Sequence, residues 1–493
     1  MRFDFTLGRS NDDAPRRARG PVRRVLVLSD LRGNAAEGQD RVLDRKIAKV
    51  DVDNLDAVLT HTAPAIQLAT GDGTERLEIR RFDDFHPDAL VETLSVFRRL
   101  RDVRTRLQHP ATFAGAVADV QGETRSIVQS TDAAGWSQPS DEGEASALSR
   151  LLGGGRATAT SQAAAAARPK DPGDMVEALI RQAVAPHIVP APDPQLPQML
   201  SAVDAAMTDL MRAVLHDPAF QQVEAAWRGV QWLVSALDLG ETLELHLLHV
   251  TRDELPQAVA QGGDLWRRLV ERESPAEGGR ALSVLVGNYT FGPSADDIAL
   301  LQQLGAMAAA MATPFIAAAS PRLLGATSLA LQPQPRDWSP LAEEDQMRWQ
   351  ALRAHAAAAH VGLAVPRLLL RLPYGQTSDP ITAFKFEEQP VHPEHESFLW
   401  GNPALAYAVA VARALDEEGD PATAGTIEAL PAFAYRTDDG TALQPPAEIA
   451  LSDRGVEAIQ ARGLMPIIGF RDRTDIQLLT PRAIASSARP LFV

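Results

Sequence analysis

The sequence predicts a mixed α/β protein in which mixed sheets are flanked by helices. Three observations predict this class. Residues 282–318 follow the order strand, helix, strand, which is typical of a parallel crossover unit. The first 118 residues carry short alternating strand patterns and a long amphipathic helix. Between these two regions, residues 119–200 replace the periodic apolar pattern with Ser, Gly, Asp and Pro, which indicates a flexible linker.

Length and composition restrict the class of protein. A chain of 493 residues is too long for one core and predicts two or three domains. The 48 Lys and Arg against 64 Asp and Glu give a net charge of −16. Such a charge disfavours broad binding to nucleic acid or anionic membranes and favours protein partners. The sequence has no cysteine, which excludes disulfides and thiolate metal sites.

No membrane or export segment is expected. Met1 to Asn11 lacks the apolar core of a secretory signal. The span from Gly305 to Ser320 is mostly alanine and contains Pro314, so it is interpreted as a buried helix and not as a membrane insertion. A cytoplasmic location follows as the expectation.

The amino-terminal part begins with two predicted strands. Residues 2–7 alternate polar and apolar side chains in the pattern of a short strand: Arg2, Phe3, Asp4, Phe5, Thr6 and Leu7. Val22 to Leu28 has the continuous apolar pattern of a buried strand. An isolated leading strand either packs on its own sheet or is offered to the sheet edge of another chain.

The pattern that follows predicts a strand, a helix, a hairpin and a longer helix. The strand covers Lys46 to Val50, the first helix Leu55 to Thr60, and the hairpin turns at residues 71–73. A helix capped by residues 82–88 is expected to continue through Leu107. Its back face is basic, and three of its arginines are candidates for a domain interface: Arg98, Arg101 and Arg104. A solvated face is an equally good interpretation.

Dense helical periodicity returns after the linker. Helices are predicted from Val203 to Leu215 and from Phe220 to Leu233, with a break at Asp217 and Pro218. Later, Trp349, Leu352, Ala356 and His360 follow a helical spacing, so that helix is expected to stop near Gly362, before Pro366. Residues 368–375 are expected to form a buried wall, and a helix opens at Pro403. Three tryptophans are expected in the core: Trp227, Trp232 and Trp400.

Several of these segments resemble the large sheath subunit of bacterial type VI secretion systems, contractile machines related to phage tails. The residues that carry this resemblance are Val365–Arg367, Arg371–Gly375, Leu399–Asn402, His216–Phe220 and Glu224–Gly229. Asp53–Val58 and Phe82–Leu90 resemble the small sheath subunit of the same system. The resemblance implies one fused chain, with a small-subunit-like domain at residues 1–118, a linker with short helices at 119–200 and a large-subunit-like domain at 201–493.

The resemblance also implies partners. A sheath protomer polymerises with itself around an inner tube protein and meets a baseplate. The family's large subunit normally continues past the point at which this chain stops, so the large-subunit-like domain is expected to be truncated, and a separate chain is a candidate source of the missing part. In the family, a hexameric AAA+ unfoldase recognises a short helix near the start of the large subunit. A segment at a comparable place contains Leu148, Leu151 and Leu152, although an ordinary linker helix is the simpler interpretation.

Enzyme and cofactor signatures are poor. His392, Glu394, His395 and Glu396 form a cluster, but the order lacks the helical two-histidine spacing of a zinc protease, and a solvated loop is favoured over a metal site. The three glycines at 153–155 are not followed by the Lys-Ser/Thr pair of a phosphate loop. Asp83, Asp84 and Asp88 are interpreted as helix-capping residues. No catalytic residue, cofactor or metal is expected.

The predicted function is therefore that of a structural protomer of a contractile sheath. Protomers would stack in an extended helical polymer around a tube and contract to propel it. The alternative is an adaptor or cap that keeps the sheath fold without polymerising and binds a sheath or baseplate end. The sequence does not favour an enzyme.

Overall fold

A computed structural model describes residues 22–35, 40–70, 73–109, 112–113, 115–116, 196–272, 281–417, 425–438, 440–487 and 489–492. The described residues form two compact units. The first unit holds those within residues 1–69, 74–94 and 208–493, and the second holds those within 70–73 and 95–207.

The strands are numbered in chain order. They are β1 (Arg23–Ser29), β2 (Ala48–Val50), β3 (Ala65–Thr70), β4 (Gly73–Glu78), β5 (Leu243–His249), β6 (Val284–Phe291), β7 (Phe315–Ala319), β8 (Val361–Val365), β9 (Leu368–Leu369), β10 (Trp400–Gly401), β11 (Gly425–Ile427), β12 (Phe433–Thr437), β13 (Gly440–Gln444), β14 (Met465–Gly469) and β15 (Ile476–Leu478).

The α-helices are numbered in the same way. They are α1 (Leu55–Thr62), α2 (Pro87–Thr93), α3 (Ser95–Gln108), α4 (Leu196–Leu215), α5 (Pro218–Ala236), α6 (Leu255–Ala258), α7 (Asp264–Trp266), α8 (Ala295–Met311), α9 (Glu343–Ala354), α10 (Ala404–Asp416) and α11 (Asp453–Ala461). A π-helix follows α7 at Arg267–Arg272, and short 3-10 helices lie at Phe82–Phe85, Pro321–Leu324, Pro335–Asp337, Ala356–His360 and His395–Ser397.

A nine-stranded mixed sheet organises the first unit. The strand order is β11-β15-β14-β8-β7-β6-β1-β5-β2. Strands β5, β1, β6, β7, β8 and β14 run parallel to their neighbours, whereas β2 and β15 run antiparallel to β5 and β14. Three two-stranded sheets accompany it: β3-β4, β9-β10 and β12-β13. The predicted mixed α/β class is confirmed.

Strand β1 lies inside this sheet because its sequence suits burial on both faces. The run Val25 to Leu28 is completely apolar, and each of these four side chains is at most 1% exposed. Continuous apolar runs are typical of strands in a parallel sheet that is covered on both sides. Val25 pairs with Leu245 of β5 on one side and with Val284 of β6 on the other.

The crossover from β6 through α8 to β7 is confirmed. The side chain of Ser294 caps α8 by accepting a hydrogen bond from the amide of Asp297, at 3.2 Å. The helix ends at Ala312, which adopts a left-handed conformation with φ of 50°. Strand β7 then pairs in parallel with β6. Helix α10 also packs on the sheet, against β1, β6, β7 and β8.

Some predicted elements were wrong in extent. The helix expected to stop near Gly362 ends at Ala354, and Val361 to Val365 forms strand β8, whose residues are all buried. Pairing with β7 and β14 outweighs the local helical spacing. The helix expected to reach Leu107 without a break is divided at Leu94, which is extended and fully buried. Trp227 is buried, whereas Trp232 and Trp400 are partly exposed.

The second unit contains α3 and the first part of α4. Five apolar residues of α3 are buried: Val96, Phe97, Leu100, Val103 and Leu107. The guanidinium of Arg104 donates to the carboxylate of Asp204 on α4, with Nε and Oδ1 2.7 Å apart. This ion pair joins residues that flank the linker in sequence.

The predicted domain limits at residues 118 and 200 stay a prediction, since 117–195 lies outside the described residues. Within the described residues, β1 and β2 precede the predicted linker, yet both belong to the same sheet as strands that follow it. Among these residues, no helix combines the length and apolar content that crossing a bilayer requires.

Replacing a central residue of β1 should therefore destabilise the whole first unit. We expect Val27→Ala to lower the free energy of unfolding by roughly 2–3 kcal/mol, because it leaves a cavity among closely packed strands. Val391→Ala is the matched control, since Val391 is 75% exposed, and should change little. Equal thermal melting temperatures for the two variants would contradict this placement of β1.

Candidate functional site

The candidate functional site is the region of the first unit where residues preceding the linker lock onto residues following it. We call it the interlock and define it by β1, β2 and residues 82–88 on one side, and by β5, α5 and residues 371–388 on the other. Each of these segments lies in the first unit.

Backbone pairing is the most extensive part of the interlock. All seven residues of β1 are in register with β5, from Arg23 opposite Leu243 to Ser29 opposite His249. Strand β2 pairs with the other edge of β5, with Val50 opposite Leu245. Strand β5 thus has a neighbour from the amino-terminal half on each side. Neither half of the chain completes this sheet alone.

An aromatic cluster fastens residues 82–85 to α5. Phe82 meets Trp227 edge to face with ring centroids 6.4 Å apart, and Phe85 meets Phe220 in the same way at 5.9 Å. The indole of Trp227 donates a hydrogen bond to the carbonyl of Leu31, at 3.0 Å. Trp227, Phe85 and Phe220 are completely buried. These contacts explain why the sequence places aromatic residues at matching points in both halves.

Helix α5 begins at Pro218, two residues before the predicted start at Phe220. The carboxylate of Asp217 accepts hydrogen bonds from the amides of Ala219 and Phe220, at 2.9 and 3.1 Å. Pro218 occupies the first helical turn, where a missing amide hydrogen costs nothing. This cap fixes the point from which Phe220 and Trp227 project.

Asp88 binds a loop instead of capping its own helix, which corrects the interpretation made from the sequence. Its carboxylate accepts hydrogen bonds from the amides of Thr382 and Ala383 and from the hydroxyl of Thr382, at 2.9–3.0 Å. Burial alone would raise the pKa of Asp88, but these hydrogen bonds outweigh it and hold the pKa below its ordinary value. The neighbouring His86 ring packs edge to face on Tyr374.

A buried ionic cluster supports the loop that receives Asp88. The guanidinium of Arg371 donates to Glu224 of α5 and to Glu388, in each case at 2.7 Å for the shorter contact. Glu388 also accepts from the amide of Tyr374, at 2.7 Å. Both carboxylates are at most 1% exposed. Because each charge has a partner, the cluster is stable only when all of its members are in place.

The protonation states of this cluster follow from its geometry. Burial alone would raise the pKa of Glu388, but Arg371 overcomes this effect and holds that pKa at about 2. Burial would lower the pKa of Arg371, whereas the charges of Glu224 and Glu388 raise it well above its ordinary value. Arg371 and Glu388 are therefore both ionised at neutral pH.

Further ion pairs connect the two halves at β2 and beside it. Arg45 donates to Glu254 at 2.8 Å, and Lys49 donates to Glu244 at 3.0 Å. Burial would raise the pKa of Glu254, but hydrogen bonds from Arg45 and Thr251 hold it at about 2. Arg41 pairs with Asp264 at the surface.

The predicted His and Glu cluster near residue 395 is organised by an arginine. Arg367 donates to Glu396 at 2.9 Å and to Glu448 at 2.8 Å, and His395 lies 3.1 Å from Glu448. Burial would raise the pKa of Glu448, but His395 and Arg367 hold it at about 2. His392 and Glu394 are exposed and lie outside this group.

Three residues of this cluster have potential metal-ligand atoms that lie as close together as the ligands of a metal site. Atoms of His395, Glu396 and Glu448 lie within 4.8 Å of one another. The Arg367 guanidinium donates to both carboxylates, and it therefore supplies the positive charge that they require. Arg367, two residues after β8, thereby connects the loop that contains His395 and Glu396 to Glu448.

The site residues predicted from the sequence lie partly within and partly outside the described part of the chain. Arg2, Phe3, Asp4, Phe5, Thr6 and Leu7, and likewise Leu148, Leu151 and Leu152, lie outside the described residues, so their roles stay predictions. Arg104 binds Asp204, while Arg98 and Arg101 are exposed. Sequence reasoning missed Arg371, Glu224 and Glu388 as a cluster. The signal that could have revealed this cluster is the presence of Glu224 and Arg371 within otherwise apolar segments.

Removing the central cation of the cluster should destabilise the protein in a pH-dependent way. Arg371→Met removes the cation shared by the buried carboxylates of Glu224 and Glu388 and leaves them only longer or neutral contacts, such as Arg228 at 3.4 Å and the amide of Tyr374. This loss should cost roughly 3–5 kcal/mol at neutral pH. The folded-state pKa of Glu388 is depressed from 4.5 to about 2, so its contribution is present above pH 4.5 and is lost as pH falls toward 2. The deficit of the variant should therefore shrink over that interval.

The measurement is the denaturant midpoint of both proteins across this pH interval. Arg101→Met is the matched control, because Arg101 is exposed, and it should follow the parent protein at every pH. A deficit that stays constant between pH 4.5 and 2 would contradict the assigned ionisation of the cluster.

Comparisons with known proteins place both halves of the interlock in one system. Residues 197–483, more than half of the chain, match the VipB family, described as EvpB/VC_A0108, tail sheath N-terminal domain. Residues 7–135 match the T6SS_VipA family, described as type VI secretion system, VipA, VC_A0107 or Hcp2.

Two curated relatives give the same order. The type VI secretion system sheath protein TssC1 of Pseudomonas aeruginosa is 34% identical over 285 residues, which cover 55% of this chain and 57% of the relative. The sheath protein TssB1 of the same organism is 36% identical over 94 residues, which cover 18% of this chain and 55% of the relative. The chain thus spans little more than half the length of either relative. It belongs to the VipB family of tail sheath proteins, with a VipA-type sheath segment fused ahead of the VipB-type segment in the same polypeptide.

Proposed function

We propose that this chain is a structural protomer of a contractile type VI secretion sheath. Protomers would assemble in the cytoplasm into a helical polymer around an inner tube protein, above a baseplate, and contraction of that polymer would propel the tube. The role is mechanical and not catalytic. The family membership supports a sheath component, and polymerisation and contraction are the proposed steps beyond it.

The observation that carries the proposal is the position of β1 between β5 and β6. A segment of the small-subunit type completes the core of a segment of the large-subunit type, so the protomer includes both. Fusion makes the encounter of the two parts intramolecular, which raises the effective concentration of one part around the other. Each chain would then bring both segments into the assembly together.

A contracting sheath needs building blocks that move as rigid bodies. The cluster of Arg371, Glu224 and Glu388 and the aromatic contacts of Trp227 hold the interlock through many partly independent bonds. Rearrangement during contraction would then fall on contacts between protomers, since packed cores switch between discrete states and do not deform continuously.

The links between protomers are proposed to include an exchanged strand. The alternating residues Arg2 to Leu7 would add to a sheet edge of a neighbouring protomer. A hexameric AAA+ unfoldase that engages the segment with Leu148, Leu151 and Leu152 would recycle the contracted polymer. Arg98 and Arg101 are proposed to contribute to an interface between domains.

The test is microscopy of the purified chain, alone and together with the products of neighbouring genes. We expect hollow tubes or cogwheel rings. Phe5→Pro should abolish them while the monomer stays folded, because proline removes a donor from the exchanged strand. Val391→Pro, placed at an exposed site after the linker, is the control and should leave them intact.

Two results would count against this proposal. Monodisperse particles in every mixture would favour the adaptor or cap that binds a sheath or baseplate end without polymerising. Tubes of normal length in the Phe5→Pro variant would exclude the exchanged strand.

A further inference from the structure

The hairpin β12-β13 carries apolar residues that are only partly covered, although the ring of Phe433 packs edge to face on Phe398 with centroids 5.9 Å apart. None of its ten strand residues is buried, although Phe433, Tyr435, Ala442 and Leu443 are apolar or aromatic. In the described part of the chain, no third strand pairs with it. Isolated two-stranded hairpins are at best marginally stable in water. The hairpin is therefore an incomplete element that gains from a further contact.

A groove of about 660 Å³ runs beside this hairpin. Its apolar lining includes Pro333, Ala434, Leu443, Pro445 and Ile449. Leu331, two residues before Pro333, is 81% exposed. An apolar groove with an exposed leucine near its rim is typical of a surface that binds a protein.

The loop after β2 presents a matching knob. Val52 is 74% exposed, and Asp53 and Asp56 beside it are exposed as well. The Asp51 carboxylate holds the loop in shape by accepting hydrogen bonds from the amides of Asp53 and Asn54, at 3.1 and 3.0 Å. We call Asp51 to Asp56 the knob.

The knob and the groove lie at opposite ends of the sheet. Strand β2 is antiparallel to β5, and Val50 is opposite Leu245, so the knob lies at the amino ends of the parallel strands. The groove is lined by Arg471, which follows β14, and by Glu448, whose amide donates to the carbonyl of Arg367 just after β8. It therefore lies at the carboxyl ends.

The two features are also at opposite lateral edges. Strand β2 is the last strand on one side of the sheet, while β14 is the third strand from the other side. With neighbouring strands about 4.8 Å apart, the knob of one copy cannot reach its own groove. It can reach the groove of a second copy placed head to tail, and such contacts generate open helical polymers or rings.

Charged residues at the groove can pair with the knob. Arg436, on the same face of β12 as Ala434, and Arg471 are exposed and form no ion pair with another described residue. Their natural partners are Asp53 and Asp56. Asp438 and Asp472 are close by in sequence, so pairing of individual charges, and not overall attraction, would set the register.

We propose that the knob of one copy docks into the hairpin groove of the next copy of the same chain. Val52 enters the apolar lining beside Leu443, and Asp53 and Asp56 meet Arg436 and Arg471. The inference rests on the proposed function, because an open polymer needs a contact that joins two different surfaces of one protomer.

The absence of cysteine from the sequence allows a direct test in the full chain. Val52→Cys and a tagged Leu443→Cys are mixed under assembly conditions and treated with a short bis-maleimide. We expect a covalent heterodimer in the mixture, several-fold above the background given when Glu92→Cys replaces Val52→Cys. Glu92 is an exposed acidic residue of α2.

The outcomes separate this contact from the sheath proposal. Polymers without the heterodimer would overturn the contact and leave the sheath role intact. The heterodimer with only short oligomers would support the contact and contradict the sheath. Absence of both would overturn both.

A charge-reversal experiment provides the second measurement. Arg436→Asp with Arg471→Asp, or Asp53→Arg with Asp56→Arg, should each abolish assembly in a sedimentation assay. Mixing the two reversed proteins should restore assembly with alternating copies, because each knob then meets a groove of opposite charge on the other protein. Glu92→Arg should have no effect. Failure of the mixed proteins to associate would overturn the proposed pairing.

Discussion

The structure depends on the pairing of β1 with β5 on one side and β6 on the other. This contact places a strand of the amino-terminal half in the interior of a sheet built mostly by the other half. Every backbone group that β1 uses for the sheet would otherwise need another partner, because buried amides and carbonyls are costly when unpaired. The pairing of β1 already holds the two halves of the chain together. The aromatic contacts of Trp227 and the hydrogen bonds of Asp88 add further contacts between the same two halves.

The charged clusters add specificity to this arrangement. Burying Glu224 and Glu388 is favourable only when Arg371 is in place, so a displaced loop would leave unpaired charges in the interior. In the same way, burying the carboxylate of Glu448 is favourable only when Arg367 is in place to pair with it. A fold held by such all-or-none groups resists partial rearrangement, which is the property that the proposed contractile assembly would require.

The sequence predicted the parts of this fold that depend on local signals. The helix break before Phe220, the β6-α8-β7 crossover and the hairpin between β3 and β4 followed from spacing and turn residues. The register of β1 did not, because any apolar run fits any parallel neighbour. Val361 to Val365 was misread since pairing on both sides outweighs local helical spacing. The Arg371 cluster was missed because its members are separated by up to 164 residues and meet only in the fold.

The most direct measurement is to cut the chain within residues 119–195 at an engineered protease site and to follow the two fragments. The account predicts that they remain together in gel filtration and separate only at the denaturant concentration that unfolds the sheet, because β1 is paired on both sides. The uncut chain with the same site is the control. Fragments that elute separately under native conditions, each with its own folded core, would contradict the claim that the two halves form one protomer.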